Sequence, residues 1–255
     1  MTPCNMPKRT NSSETFYNRL GRPLGDLALP IRRQDVLRDT KWKKFLSEAR
    51  RFRYIPFADF VFASGSMVIG NVKDSSDFDV IVGARHGRIF TVRFFSIILF
   101  GLLNERRKKL SHDEEAKDKL CFNHFVTEKS LRLSPPHHLY WHELYARLVP
   151  LYGEPAAIQK FFDANDWLPE RRAFLPDTRH FEGSSAAKKV FERVLGGKLG
   201  DALEAALRKI QLSRINRSMK KEIDGFRPRI RVSDDELEFH PDQKVYKLMR
   251  DLETI

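Results

Sequence analysis

Residues 62–82 read FASGSMVIGNVKDSSDFDVIV. The stretch opens in an apolar run, turns at Ser64-Gly65-Ser66, and closes on an alternating segment that carries Asp77 and Asp79. This pattern predicts a strand over 59–63, a short helix from Ser66 and a second strand over 77–82. Side chains two apart on a strand share a face, with their roots roughly 6–7 Å apart. Two carboxylates on one face, bracketed by apolar residues, are costly to hold without a positive partner. A divalent cation is such a partner. Hard oxygen ligands suit magnesium, which takes one or two protein carboxylates and leaves its other positions to water and phosphates. The bland alternative is that Asp77 belongs to the turn cluster 73–76 and Asp79 is a solvated strand residue.

The order Gly-Ser, ten intervening residues, then Asp77-Phe78-Asp79-Val80 resembles the active-site signature of nucleotidyltransferases related to DNA polymerase beta. Ile55-Pro56-Phe57 before the first strand and Gly87-Arg88-Ile89-Phe90 after the second are similar to a bacterial branch of that superfamily. The resemblance implies an α+β fold: a small mixed sheet flanked by helices, followed by a mainly helical C-terminal region. It implies Mg2+ or Mn2+ held by Asp77 and Asp79, and a nucleoside triphosphate held at Gly65 and Ser66. A glycine lets the backbone approach a phosphate, and a serine offers a hydroxyl beside it. The implied reaction moves a nucleoside monophosphate to an acceptor hydroxyl (an RNA 3′ end, a protein or a small molecule) and releases pyrophosphate.

That superfamily usually supplies a third carboxylate from a later strand. The candidate strand, 120–126, contains no acid; Cys121 and Asn123 occupy its alternate positions, and Asp118 precedes it. Asn123 or Asp118 would have to substitute, or turnover is lost. A non-catalytic nucleotide- or RNA-binding protein on the same fold is therefore one alternative. An antitoxin-like enzyme that modifies a partner protein is another. Arg93, which interrupts the apolar run 89–103, needs an anionic neighbour if buried. A triphosphate is one such neighbour, and a sheet acid is the other.

The 255 residues carry a formal charge of +12. A basic chain attracts polyanions. The cations concentrate at Arg208, Lys209, Arg214, Arg217, Lys220 and Lys221, and again at Arg106, Arg107, Lys108 and Lys109. Either cluster is a candidate RNA contact or a solvated charged surface. Two cysteines give no disulfide framework, which points to a reducing, cytoplasmic compartment. The run 89–103 is too short to span a bilayer as a helix, so no membrane partner is expected. His138 and His142 share a helical spacing that zinc could use, but no third ligand accompanies them.

The remaining pattern divides the chain into a mobile segment 1–29, a catalytic core 30–132, a helical region 133–222 and a basic tail 223–255 with a short helix. Helices are expected over 39–53, 89–103, 138–149 and 155–165, and on both sides of Gly196-Gly197. The tail contains Phe239-His240-Pro241, for which the sequence suggests no mechanism.

Overall fold

The computed structural model describes residues 24–107, 116–134, 139–168, 172–175, 177–218 and 229–240. Helix α1 (Leu24–Ala49) runs through a short 3-10 turn into strand β1 (Ala58–Ala63). Helix α2 (Ser66–Ile69) and strand β2 (Phe78–Ala84) follow, then α3 (Ile89–Leu102) and β3 (Leu120–Thr127). Beyond them come α4 (Leu139–Ala146), β4 (Val149–Gly153), α5 (Pro155–Ala164), α6 (Ala186–Val194) and α7 (Lys198–Ser218). The hairpin β5 (Arg229–Val232) and β6 (Glu236–His240) closes the described chain.

The six strands form one mixed sheet in the order β4-β1-β2-β3-β6-β5, so the fold is α+β. Only β2 and β3 run parallel; every other neighbouring pair is antiparallel. The crossover between the parallel strands carries α3, as a parallel pair requires a long connection.

Alternation along β2 separates two apolar layers. Phe78, Val80 and Val82 face α1, α3 and α7, in a cluster with Phe45, Phe52, Phe100 and Leu207. Phe45 stacks on Phe78 with centroids 4.6 Å apart. Ile81 faces the opposite way, with Phe60, Phe62, Trp141 and Phe161 from β1, α4 and α5. Fully burying one such side chain contributes roughly 1.5–3 kcal/mol. Asp77 and Asp79 share the Ile81 face by the same alternation.

The sheet reaches further along the chain than the sequence pattern indicates. Residues 149–153 continue the expected helix in pattern but form β4, which pairs with β1. The tail contributes β5 and β6, and β6 pairs with β3. Core, helical region and tail thus share one sheet. Helix α1 also starts fifteen residues before the expected 39, at Leu24. Its charged stretch 32–39 and Pro30 mask the helical period there. Residues 1–23, Lys108, Lys109, His138, Lys220, Lys221 and the segment after His240 lie outside the described residues.

Candidate metal and phosphate site

The turn between β1 and α2 brings Gly65 against Asp79. Gly65 has φ +65°, and a Cβ built there would fall 2.0 Å from Asp79 Oδ2. No other residue type fits both the backbone and the space. The Ser64 amide donates to the Asp79 carbonyl at 2.9 Å, which fastens the turn to β2. Ser66 begins α2 and is half-buried. The Gly-Ser turn and the second acid, separated in sequence, are therefore one local unit.

Across the parallel pair, Asp79 sits opposite Cys121, and Val80 opposite Phe122. The next pair is Ile81 with His124, so β3 carries an extra residue, Asn123. Such bulges redirect side chains and often lie beside functional sites. Here Asn123 Nδ2 donates to Asp79 Oδ1 at 2.9 Å. Ligand atoms of Asp77, Asp79 and Cys121 all lie within 4.8 Å of one another.

Asp79 is densely surrounded while still touching solvent. Burial first, and the charge of Asp77 second, push its pKa up to about 7, against hydrogen bonds from Cys121 and Asn123. Burial also raises the Cys121 thiol well above its ordinary range, with Asp79 and Asp77 adding to the effect. Cys121 is thus a protonated S–H donor to Asp79 and not a thiolate. Asp77 accepts from Arg107 Nη1 at 2.7 Å. Burial opposes the charge on Arg107, but Asp77 outweighs it and the guanidinium pKa rises.

Two of the residues singled out in the sequence lie elsewhere. Asp118 binds Lys41 Nζ at 2.6 Å and Lys44 Nζ at 3.2 Å, so its carboxylate turns to α1 and does not join Asp77 and Asp79. Arg93 lies on α3, across the sheet from the acids. It donates to Gln211 Oε1 at 2.6 Å and packs over the Phe239 ring at 5.3 Å. Neither a triphosphate at Gly65 nor a sheet acid accounts for it; burial, then the nearby Arg106, pulls its pKa down to about 10. His142 packs edge-on to Trp167 at 5.0 Å.

Sequence reasoning missed Arg107 as a site residue. In the sequence it stands among surface cations, because the stretch between it and β3 gives no pattern; the pairing of Arg106 and Arg107 with Leu120 fixes it beside β3. Among the described residues, no third carboxylate joins Asp77 and Asp79. The donor set nevertheless fits a hard cation: two carboxylates on one face, one with its proton affinity raised by the other. A cavity of about 470 Å3 borders α2, lined by Arg38, Trp42, Lys43, Met67 and Arg179 among others. None of Gly65, Asp77 or Asp79 lines it.

In comparisons with known proteins, no family model, no curated protein and no solved structure matches this chain. Among the described residues, no helix is long and apolar enough to cross a membrane.

Proposed function

We propose that the chain is a metal-dependent nucleotidyltransferase that transfers a nucleoside monophosphate from a nucleoside triphosphate to an acceptor hydroxyl. The observation that carries this reading is the contact of Gly65 with Asp79, which joins a phosphate-approachable turn to a paired-acid strand. Asp77 and Asp79 would hold Mg2+ or Mn2+. The bound cation would supply charge neutralisation for the triphosphate and activation of the attacking hydroxyl.

The chain's own residues divide the remaining work. Asn123 fixes Asp79 through Oδ1 and leaves Oδ2, the oxygen facing Gly65, for a cation. Gly65 and Ser66 would receive phosphate oxygens, one through bare backbone and the other through its hydroxyl. Arg107 occupies the cation's place at Asp77 and would turn to the triphosphate when a cation binds.

A second reading, a nucleotide- or RNA-binding module without turnover, is favoured by Arg107 itself. An arginine on Asp77 and an asparagine on Asp79 satisfy both acids without a metal.

One assay separates the readings. Purified protein is incubated with each labelled nucleoside triphosphate, Mg2+ or Mn2+, and total RNA and protein as acceptors, beside an Asp77→Ala/Asp79→Ala control. Label transferred by the native chain and lost in the control supports the enzyme. Metal-dependent nucleotide binding without transfer overturns it in favour of the module.

A further inference from the structure

A second cluster of ligating side chains lies on the same face of the sheet, two strands from Asp79. The bulge at Asn123 turns both Asn123 and His124 to that face, since Phe122 and Phe125 on either side pack in the opposite layer. His124 is paired with Glu238 across β3 and β6. The alternation of β6 puts Glu236, Glu238 and His240 together, while Leu237 and Phe239 enter the core. We infer that His124, Glu238 and His240 form a zinc site that staples the C-terminal hairpin to the central sheet.

Geometry supports the assignment. One ligand atom from each of the three residues lies within 4.8 Å of the others. His240 Nε2 and Glu238 Oε1 are 3.4 Å apart. That separation is the edge of a tetrahedron whose arms are about 2.0–2.1 Å, the usual Zn–N and Zn–O length.

The ring of His124 is prepared for a metal. It is 1% exposed, and its Nε2 lies 3.2 Å from Glu236 Oε1. A carboxylate only accepts, so Nε2 carries a hydrogen and Nδ1 is the nitrogen left for a metal. Nδ1 is buried without a hydrogen-bond partner. A carboxylate behind one imidazole nitrogen and a lone pair at the other is the usual support of a zinc-bound histidine.

His240 turns its Nε2 to the Glu238 carboxylate. A metal would take Nε2 and leave the ring hydrogen on Nδ1. Glu238 is fully buried and ion-paired to Arg229 at 2.5 Å and Arg231 at 3.3 Å. A carboxylate offers about four acceptor positions. The two guanidiniums take their share, and zinc would take the position now facing His240. Trp141 walls the site, its ring 5.0 Å from His240 and 4.6 Å from the Arg229 guanidinium.

The inference is independent of the reading of Asp77 and Asp79, and its test keeps them apart. The full chain is stripped with a chelator, loaded with Zn2+ or Co2+ alone, desalted and analysed for bound metal. The expected result is one zinc per chain and a cobalt spectrum of tetrahedral form without thiolate charge transfer. His240→Gln and Glu238→Gln should lose the metal, whereas Asp77→Asn/Asp79→Asn and Cys121→Ser should retain it. Circular dichroism establishes which variants fold, and His240→Gln, at the less buried end of β6, carries the test if Glu238→Gln does not. Zinc lost from the native chain on desalting, or retained in folded His240→Gln, overturns the inference. Zinc lost in Asp77→Asn/Asp79→Asn or Cys121→Ser assigns the metal to the other cluster and overturns it equally.

Discussion

The carboxylate of Asp79 fills the space that a side chain on Gly65 would need, with Oδ2 only 2.0 Å from the position of its missing Cβ. The turn and the acid therefore constrain each other. Gly65→Ala must move Asp79 and also strain a backbone at φ +65°. The expected cost is about 2 kcal/mol or more. Chemical denaturation of the single variants and of Gly65→Ala/Asp79→Ala measures it. A shortened residue 79 should recover roughly 1 kcal/mol, the signature of coupled neighbours. Strict additivity would contradict the contact.

The raised pKa of Asp79 links the site to stability. Between its ordinary value near 3.8 and about 7, the unfolded chain has released a proton that the native chain retains. The native state binds more protons in that window, so its stability falls as pH rises through it. Above the window the loss is complete and level. Asp79→Asn removes this dependence. In metal-free buffer it should match the native chain near pH 4 and melt several degrees higher near pH 8. Melting curves across that range check it; equal melting at both ends would show that burial does not penalise the carboxylate.

Arg107 donates to Asp77 at 2.7 Å, so on the proposed reading it competes with a cation for that carboxylate. Replacing it with glutamine removes one positive charge beside the acids and leaves a neutral hydrogen-bonding group. Mn2+ affinity in the absence of nucleotide should rise about tenfold, a modest figure for unit charges at this range in a partly solvated site. Titration calorimetry reads it directly. If Arg107 also turns to the triphosphate, nucleotide affinity falls in the same variant. A fall in Mn2+ affinity would mean that Arg107 organises the acids and does not compete for them.

Asp118 serves the fold. Lys41 is 3% exposed and meets Asp118 at 2.6 Å. Removing Asp118 leaves the buried Lys41 ammonium with the Ser76 carbonyl as an acceptor at 2.8 Å and no carboxylate, at a cost of roughly 1–3 kcal/mol. Asp118→Ala should therefore melt well below the native chain at neutral pH. Burial works against the charge on Asp118, but the hydrogen bonds from Lys41 and Lys44 outweigh it and hold the pKa below the ordinary value. Its contribution is present above the unfolded pKa and is lost as pH falls through the lower folded one. The difference between variant and native chain should shrink below about pH 4. Activity per folded molecule should be unchanged, which separates a structural acid from a substitute catalytic one.

The unit over residues 59–82 was readable because its signals are local. A Gly-Ser turn, a period of two and apolar neighbours all lie within one window. The strand 120–126 was readable for the same reason, and so was the apolar helix 89–103. What escaped depends on distant partners. Val149-Pro150-Leu151-Tyr152-Gly153 follows directly on a helical pattern and contains a proline; only pairing with β1 makes it a strand. In Glu236-Leu237-Glu238-Phe239-His240 the alternation was visible, but its polar face resembles a solvent face. That face is buried instead against His124, Arg229 and Arg231. Arg93 stands in the sequence as a charge that needs an anionic partner and Asp118 as a substitute third acid, yet neutral Gln211 meets the first and Lys41 the second. Arg107 stands in a run of four consecutive cations, and only the folded chain shows that it turns to Asp77.

The basic run on α7 supplies the last prediction, because the structure narrows which cations can meet a polyanion. Arg208 pairs with Asp234 at 2.5 Å, and Arg229 and Arg231 are drawn to Glu238. Lys209, Arg214 and Arg217 are exposed along α7, and Arg217 donates to the Ser213 hydroxyl at 3.0 Å. If α7 contacts RNA, the triple replacement Lys209→Gln/Arg214→Gln/Arg217→Gln should weaken binding at low salt. It should also reduce the slope of log affinity against log salt by about 2–3, since each neutralised phosphate contributes about 0.7–0.9. Filter binding to unstructured RNA over a salt series measures both quantities. Loss of affinity with an unchanged slope would mean that these residues act on RNA only through the fold, and unchanged binding would remove α7 from the interface altogether.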